Sequence, residues 1–405
     1  MENAMSASFN KTPLYWLALG TFAVGTEAFM IAGILPRIAG DLGVSVPAAG
    51  QLVTVFAFCY AISSPVLTTL FGGVNRRLLL IFAMIAFMAA NLLALSATGY
   101  WTLMGARILL ACAAGLYVPG ANALAGTLVP PERRGSALAI VNGGLTIAVA
   151  FGVPLGALIG NKLGWRMTFG MVALLAAIAG IGLMIGLRKD LGLGLATASL
   201  RERIGVARQP VVLLTLLTTA LWAMGAYTIY TYLALFISTV TGIHGTWIGV
   251  ILFMWGVAAA AGVAIGGTAN DRFGSRAVMV PCLVFLALAF VMLSTIAHVV
   301  PRSMAIVPVF VAIAIWGVTA WAFYPAQQAR LIGIAGVKAA PIVLSLNASF
   351  MYLGFSFGAA IGSLTLAYSD VRNLGWVAAL FEAASLLLVL GMSRGKVLKP
   401  AVSIE

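Results

Sequence analysis

LYWLALGTFAVGTEAFMIAGILPRI, residues 14–38, is an apolar run with a single acidic residue, Glu27, near its middle. About 20 mostly apolar residues are enough to cross a bilayer core as a helix. A carboxylate at the centre of such a helix costs upwards of about 2.5–3.5 kcal/mol. Something must offset that cost, and a proton or substrate site is the leading candidate.

Runs of this kind recur from end to end. The 405 residues are 62% hydrophobic and 8% charged, with a mean hydropathy of +1.09. A soluble domain carries about 25% charged residues. Twelve spans fit, at 14–36, 47–71, 78–97, 101–128, 135–160, 166–187, 211–239, 245–269, 277–297, 303–329, 339–367 and 374–393. The chain therefore reads as an all-α polytopic membrane protein. A membrane β-barrel would need alternating strands of about ten residues.

The net charge of +13 points to the membrane and not to nucleic acid, because the basic residues sit in short loops between spans. With the N-terminus in the cytoplasm, the outer loops hold Arg37, Lys162, Arg166, Arg302 and Arg372. Seventeen of the 23 basic residues then face inward and Arg107 stays inside a span. Cytoplasmic loops are the Lys/Arg-rich ones, so both termini are expected inside. Cys59, Cys112 and Cys282 fall within apolar runs and read as reduced packing residues. No phosphate-binding GxxxxGK[ST] loop occurs, no cluster has metal-ligand spacing, and no cofactor is implied. The first run is too long for a signal-peptide core and is kept as a span.

The longest polar stretch, RKDLGLGLATASLRERIGVARQP, divides the spans six and six. It gives an N-terminal six-helix bundle over 1–187, a cytoplasmic linker over 188–210 with a short surface helix around Leu200 and Ile204, and a C-terminal bundle over 211–405. FGGVNRR (71–77) and GGTANDRFGSR (266–276) recur after spans 2 and 8, and GVPLGALIG (152–160) is echoed by GFSFGAAIG (354–362). An even number of spans per half makes this a parallel repeat about an axis along the membrane normal.

Span 5 places Gly144, Ala148, Gly152, Gly156 and Gly160 four residues apart. Small residues at that spacing let helix backbones approach closely, and Pro154 breaks the hydrogen-bond ladder. The face reads either as ordinary helix packing or as a sliding or bending seam near the junction of the halves.

These features together resemble the major facilitator superfamily over nearly the whole chain. GTEAFM in span 1, GVPLG in span 5 and GWRMTF (164–169) are most similar to its twelve-span drug/proton antiporter branch, which includes exporters of drugs such as chloramphenicol, of sugars and of purine nucleosides. The resemblance implies a central cavity between the two bundles, a small-molecule substrate, protons as coupling ions, and a functional monomer in the bacterial inner membrane. Gly267, Asp271, Arg272, Gly274 and Arg276 match the family's loop motif, whose acid and base act as a conformational latch. The N-terminal copy lacks both, with Gly72 and Gly73 in their places. Arg107 matches the basic residue of the family's span-4 motif. Gly152, Pro154 and Gly156 resemble its span-5 antiporter motif.

Spacing alone puts Glu27 about 13 Å and Arg107 about 10 Å below the outer surface. At matching depth the two can pair. Burial favours a protonated carboxyl and a neighbouring guanidinium favours the carboxylate, so competition between them can make a proton site. The bland alternative is a static ion pair. Aromatic and polar residues gather in spans 4, 7 and 10, the other spans that line the family's cavity. Tyr117, Asn122, Trp222, Tyr227, Tyr230, Trp316, Phe323 and Tyr324 are the candidate substrate contacts, with Trp321 beside them. Asn142 and Asn347 read as interhelical hydrogen-bonding residues. Glu382, in span 12, is expected to reach toward a neighbouring span or an oligomer contact. Gly354-Phe355-Ser356-Phe357-Gly358 matches GxSxG only formally, because a nucleophile elbow needs a strand–turn–helix. The expected function is proton-coupled export of a small, partly apolar or aromatic molecule by alternating access. Proton symport, export of a sugar or nucleoside, a membrane sensor and a channel are the alternatives.

Overall fold

Long apolar runs in a bilayer must satisfy every backbone polar group internally, and each such run here closes into a helix. The computed structural model describes residues 11–130, 133–188, 198–336 and 339–394. Among these, twelve helices are long and apolar enough to cross a membrane: Thr12–Asp41, Val46–Leu70, Arg76–Leu95, Tyr100–Thr127, Arg134–Leu163, Trp165–Gly186, Pro210–Tyr230, Thr246–Phe273, Ser275–Val299, Arg302–Ala335, Ala340–Tyr368 and Val371–Met392. They follow the expected runs in order and are numbered spans 1 to 12. Span 7 stops at Tyr230 and resumes as Leu233–Thr241. The segment 189–197 of the linker, with Lys189, lies outside the described residues, as do Lys338, Lys396 and Lys399.

Polar punctuation sets the ends. Ser45 caps span 2 by accepting from the Ala48 N–H, and Asn75 caps span 3 by accepting from Arg77 and Leu78. Between spans 5 and 6, Gly164 holds a φ of +95°, open to glycine and strained for other residues. That corner lets Trp165 Nε1 and Arg166 Nη1 both donate to Asp41 Oδ2, at 2.9 and 2.7 Å, while Arg166 Nε donates to the Ala97 carbonyl. The expected linker helix forms at Leu200–Ala207 with a Ser199–Glu202 capping box. Hydrogen bonds from the Ser199 N–H and hydroxyl hold the Glu202 carboxyl below the usual range. Arg203 ties this helix to span 11 through the Ser345 hydroxyl, 2.6 Å away.

The helix pairings repeat with a shift of six. Spans 1·5, 1·6, 2·4, 3·4 and 3·6 pack together in the first half, and 7·11, 7·12, 8·10, 9·10 and 9·12 in the second. The pairs that join the halves, 5·8 and 2·11, also exchange under the same shift. This is the parallel repeat of two six-helix bundles. Span 1 is the most enclosed, with 83% of its central window buried.

The hydrogen bonds that join the bundles include Gln51 Nε2 to Ser363 Oγ (3.0 Å), Ser363 Oγ to the Pro47 carbonyl (3.0 Å), Ser356 Oγ to the Thr54 carbonyl (2.9 Å) and Asn161 Nδ2 to the Gly245 carbonyl (3.3 Å). All four lie between mid-depth and the end remote from the linker. At mid-depth the Tyr60 and Tyr352 rings stack at 3.7 Å. Ser356, the centre of the GxSxG match, is thus a helical contact residue.

The glycine face of span 5 lies elsewhere than between the halves. A Cβ at Gly144 would overlap the Ala18 carbonyl oxygen. The space beside Gly152, Gly156 and Gly160 is filled by Thr26, Met30 and Ile34. This face packs on span 1, inside its own bundle. The junction of the halves uses glycines of span 8, with Gly256 pressed on the Val149 carbonyl and the Ala150 backbone. Pro154 has no N–H to donate, and the turn before it widens to a π-helix over Ala148–Gly152, a common outcome where the ladder is interrupted.

The seam yields a stability prediction. Gly144→Ala must move the span 1 backbone and should destabilise the protein by about 1–3 kcal/mol. Gly143→Ala meets nothing within 4 Å and should leave the thermal midpoint in detergent unchanged or slightly raised.

Candidate functional site

Span 1 carries Glu27 and span 4 carries Arg107, and both side chains are fully buried. Arg107 Nη1 donates to Glu27 Oε1 in a direct ion pair. Arg107 Nε donates to the Leu52 carbonyl of span 2 at 3.2 Å, and its guanidinium lies 4.1 Å from the centre of the Phe56 ring. One arginine therefore fastens spans 1, 2 and 4. Among the described residues, Glu27 Oε2 and Arg107 Nη2 are buried and find no hydrogen-bond partner. The pair thus retains one spare acceptor and one spare donor, each costly to leave unmade in a dry interior. A proton or a polar ligand atom can be taken up there while the first hydrogen bond stays in place.

Phe29 lies two residues beyond Glu27, about 200° further round the helix. Glu27 meets Arg107, while Phe29 points into the second bundle. Its ring lies 6.1–6.2 Å from those of Tyr227, Tyr230, Trp321 and Phe355, and its carbonyl accepts from the Tyr230 hydroxyl at 3.1 Å. Tyr227 stacks on Phe355 at 3.7 Å, and Tyr230 packs against Trp255 at 4.8 Å. These rings, with Trp222 and Trp316, surround a void of about 20 Å³, room for about one water molecule. Phe29, which lines the void, lies two residues from Glu27 on span 1, so the ion pair and the aromatic box adjoin.

Trp222, Tyr227, Tyr230 and Trp316 line the box, and Phe323 and Tyr324 stack behind Trp222 at 5.2 and 5.9 Å. Tyr117 and Asn122 lie apart. The Tyr117 hydroxyl donates to the Leu17 carbonyl and its ring occupies the room that Gly20 leaves, bolting span 4 to span 1. Asn122 Nδ2 donates to Asn142 Oδ1 at 3.3 Å, joining spans 4 and 5. Asn347 Oδ1 accepts from Thr219 at 2.6 Å, joining spans 11 and 7. Phe29, Trp255 and Phe355 were not singled out from the sequence. The helical angle between Glu27 and Phe29 was the available signal for the first. Trp255 and Phe355 lie in spans 8 and 11, which the family resemblance does not name among those lining the cavity.

Asp271, Arg272, Gly274 and Arg276 sit at the linker end, exposed, with the Arg272 guanidinium 5.2 Å from the Phe273 ring centre. Gly274 has a φ of +80°. Glu382 reaches span 7, where its Oε1 takes the space beside Gly225. It is fully buried, and neither carboxyl oxygen has a partner among the described residues.

The family model described as Major Facilitator Superfamily matches residues 17–329 and 216–401. The MFS-type transporter YbcL of Bacillus subtilis (strain 168) is 33% identical over 371 residues, covering 92% of this chain and 93% of that one. Inner membrane transport protein YdhP of Escherichia coli (strain K12) is 33% identical over 386 residues, covering 94% and 96%. A chloramphenicol resistance protein of Streptomyces lividans is 36% identical over 266 residues, covering 64% and 67%. Among solved structures, a bacterial homologue of the human lysosomal transporter Spinster, inward-facing and occupied, superimposes with a TM-score of 0.80 at 17% identity, covering 96% and 98%. Identity that low speaks to the fold alone.

The ion pair makes a thermodynamic prediction. Removing one member strands the other charge in a dry site, at a cost of about 3–5 kcal/mol. Glu27→Ala and Arg107→Ala should each destabilise strongly. The double variant should be milder than the sum of the two, with a coupling of about 0.5–3 kcal/mol in a thermal or denaturant double-mutant cycle.

Proposed function

The chain belongs to the Major Facilitator Superfamily, a family of membrane transporters, and from that premise we propose that it is a proton-driven exporter of a small, partly apolar or aromatic molecule. The observation that carries this reading is the buried Glu27–Arg107 pair, with one carboxylate oxygen unbonded, beside an aromatic box at the meeting of the two bundles. A carboxylate that exchanges its proton next to a ligand site can couple the two.

The bundles are the halves 1–187 and 211–405, joined by the linker 188–210. Both termini lie on the cytoplasmic face of a bacterial inner membrane, as the excess of basic residues at the linker end supports. On that orientation the inter-bundle hydrogen bonds from mid-depth to the remote end lie on the outer side. In the cycle, substrate enters from the cytoplasm as Glu27 gives up its proton inward. The bundles rock, a proton from outside reaches Glu27 Oε2, and substrate leaves. Tyr227, Tyr230, Trp222 and Trp316 contact substrate, with Phe323 and Tyr324 behind them. The loop at Asp271 and Arg272 sets the balance between the two facing states. Gly152, Pro154 and Gly156 let span 5 slide on span 1 as it turns.

One proton moving inward down 100 mV contributes about 2.3 kcal/mol, enough for roughly a fifty-fold gradient of a neutral substrate at about 1.4 kcal/mol per tenfold. Chloramphenicol, the drug in the name of the Streptomyces relative, is the first substrate to test. In proteoliposomes with an imposed proton gradient, the protein should move labelled chloramphenicol against its concentration difference. Glu27→Gln should lose that concentrative movement and keep gradient-independent exchange. A Glu27→Gln protein that still concentrates the drug would remove Glu27 from the coupling role.

A further inference from the structure

The aromatic box holds three hydrogen-bond donors with nothing to donate to. Among the described residues, the indole Nε1 atoms of Trp222, Trp255 and Trp316 are buried and find no acceptor, in residues only 2%, 3% and 0% exposed. They come from spans 7, 8 and 10, yet all three rings line the same void. An indole N–H can only donate. Three orphan donors around one cavity form a pattern that native interiors otherwise avoid.

The surroundings offer no remedy. The Tyr230 hydroxyl is already donating to the Phe29 carbonyl, and Glu27, whose Oε1 is held by Arg107, is not among the residues that line the void. The void holds about one water. A water oxygen accepts two hydrogen bonds, fewer than the three on offer. Phe29 meanwhile demonstrates how a ring is received, edge-on to Tyr227, Tyr230 and Phe355.

We propose that this box recognises uncharged, flat aromatic molecules that carry at least two hydrogen-bond acceptor atoms, such as aryl esters, nitroarenes or quinones, and discriminates against organic cations. Aromatic walls by themselves attract cations. Here two of the ring faces are taken, Tyr227 by Phe355 and Trp222 by Phe323. The unpartnered polar groups of the lining are donors, and no carboxylate lines the void. An acceptor oxygen entering among the three indoles gains hydrogen bonds that neither an alkyl group nor an ammonium can make. The inference rests on the box being the substrate site of a carrier. It does not depend on proton coupling.

The test is therefore binding. Three probes share one naphthalene ring: methyl 2-naphthoate, 2-isopropylnaphthalene and protonated 2-(aminomethyl)naphthalene. Saturable binding to the full-length protein in lipid nanodiscs is measured by equilibrium dialysis against empty nanodiscs. The ester should bind tightest, by about fivefold for each hydrogen bond gained. Trp222→Phe, Trp255→Phe and Trp316→Phe keep a ring and remove the N–H. Each should weaken the ester several-fold and leave the hydrocarbon unchanged. Equal or weaker binding of the ester relative to either other probe would overturn the proposal, as would variants that weaken ester and hydrocarbon alike. If a variant does not fold, the ranking of the three probes on the unmodified protein still decides. Loss of pH-driven transport with the ranking intact would count against the export cycle and leave this inference standing.

Discussion

The Arg107–Glu27 ion pair is the constraint around which the first bundle is arranged. Two charges in a dry interior are tolerable only together, because the desolvation of each is offset mainly by the other. Arg107 meets this condition with three contacts at once: the carboxylate on span 1, a carbonyl on span 2 and a ring face on span 2. Span 1, the most enclosed helix, is fixed in rotation by that bond. With Glu27 turned to span 4, Phe29 has to face the other way, and the aromatic box of the second bundle closes around it. The proposed proton site and the proposed substrate site are thus two faces of one helix.

The bundles repeat their packing under a shift of six spans, and they meet through spans 5·8 and 2·11. Glycine makes both kinds of contact possible. In span 5 it brings the helix onto span 1 within a bundle. In span 8 it brings Gly256 onto the span 5 backbone between bundles. Inside the first bundle the Thr26, Met30 and Ile34 side chains fill the space beside Gly152, Gly156 and Gly160, whereas between the bundles Gly256 meets backbone, a contact that suits surfaces that must slide. The rocking proposed for this carrier needs such surfaces more than it needs a strong latch, and the latch residues of the first half are missing from the sequence.

Much of this was legible before any coordinates. Helix rise alone put Glu27 and Arg107 at one depth, and they pair. The aromatic cluster of spans 7 and 10 converges as the family resemblance implies, without the span 4 residues Tyr117 and Asn122. What sequence reading missed follows from the medium. In a chain that is 62% hydrophobic, an aromatic stands out only where its span is already expected to line a cavity, so Trp255 of span 8 and Phe355 of span 11 are passed over although they complete the box with Phe29. Tyr117 and Asn122 stood out for their polarity, yet each spends it on a neighbouring helix. The glycine face of span 5 was visible, but a face without side chains does not announce its partner, and that partner is span 1.

The central claim is that the Glu27 carboxyl gains and loses a proton while it remains beside Arg107. Infrared difference spectroscopy across a pH titration of the protein in lipid reads carboxyl protonation directly. The account predicts a protonated-carboxyl band that grows on acidification, is missing in Glu27→Gln, and survives in Glu382→Gln. A titrating band that persists unchanged in Glu27→Gln, or that vanishes only in Glu382→Gln, would contradict it.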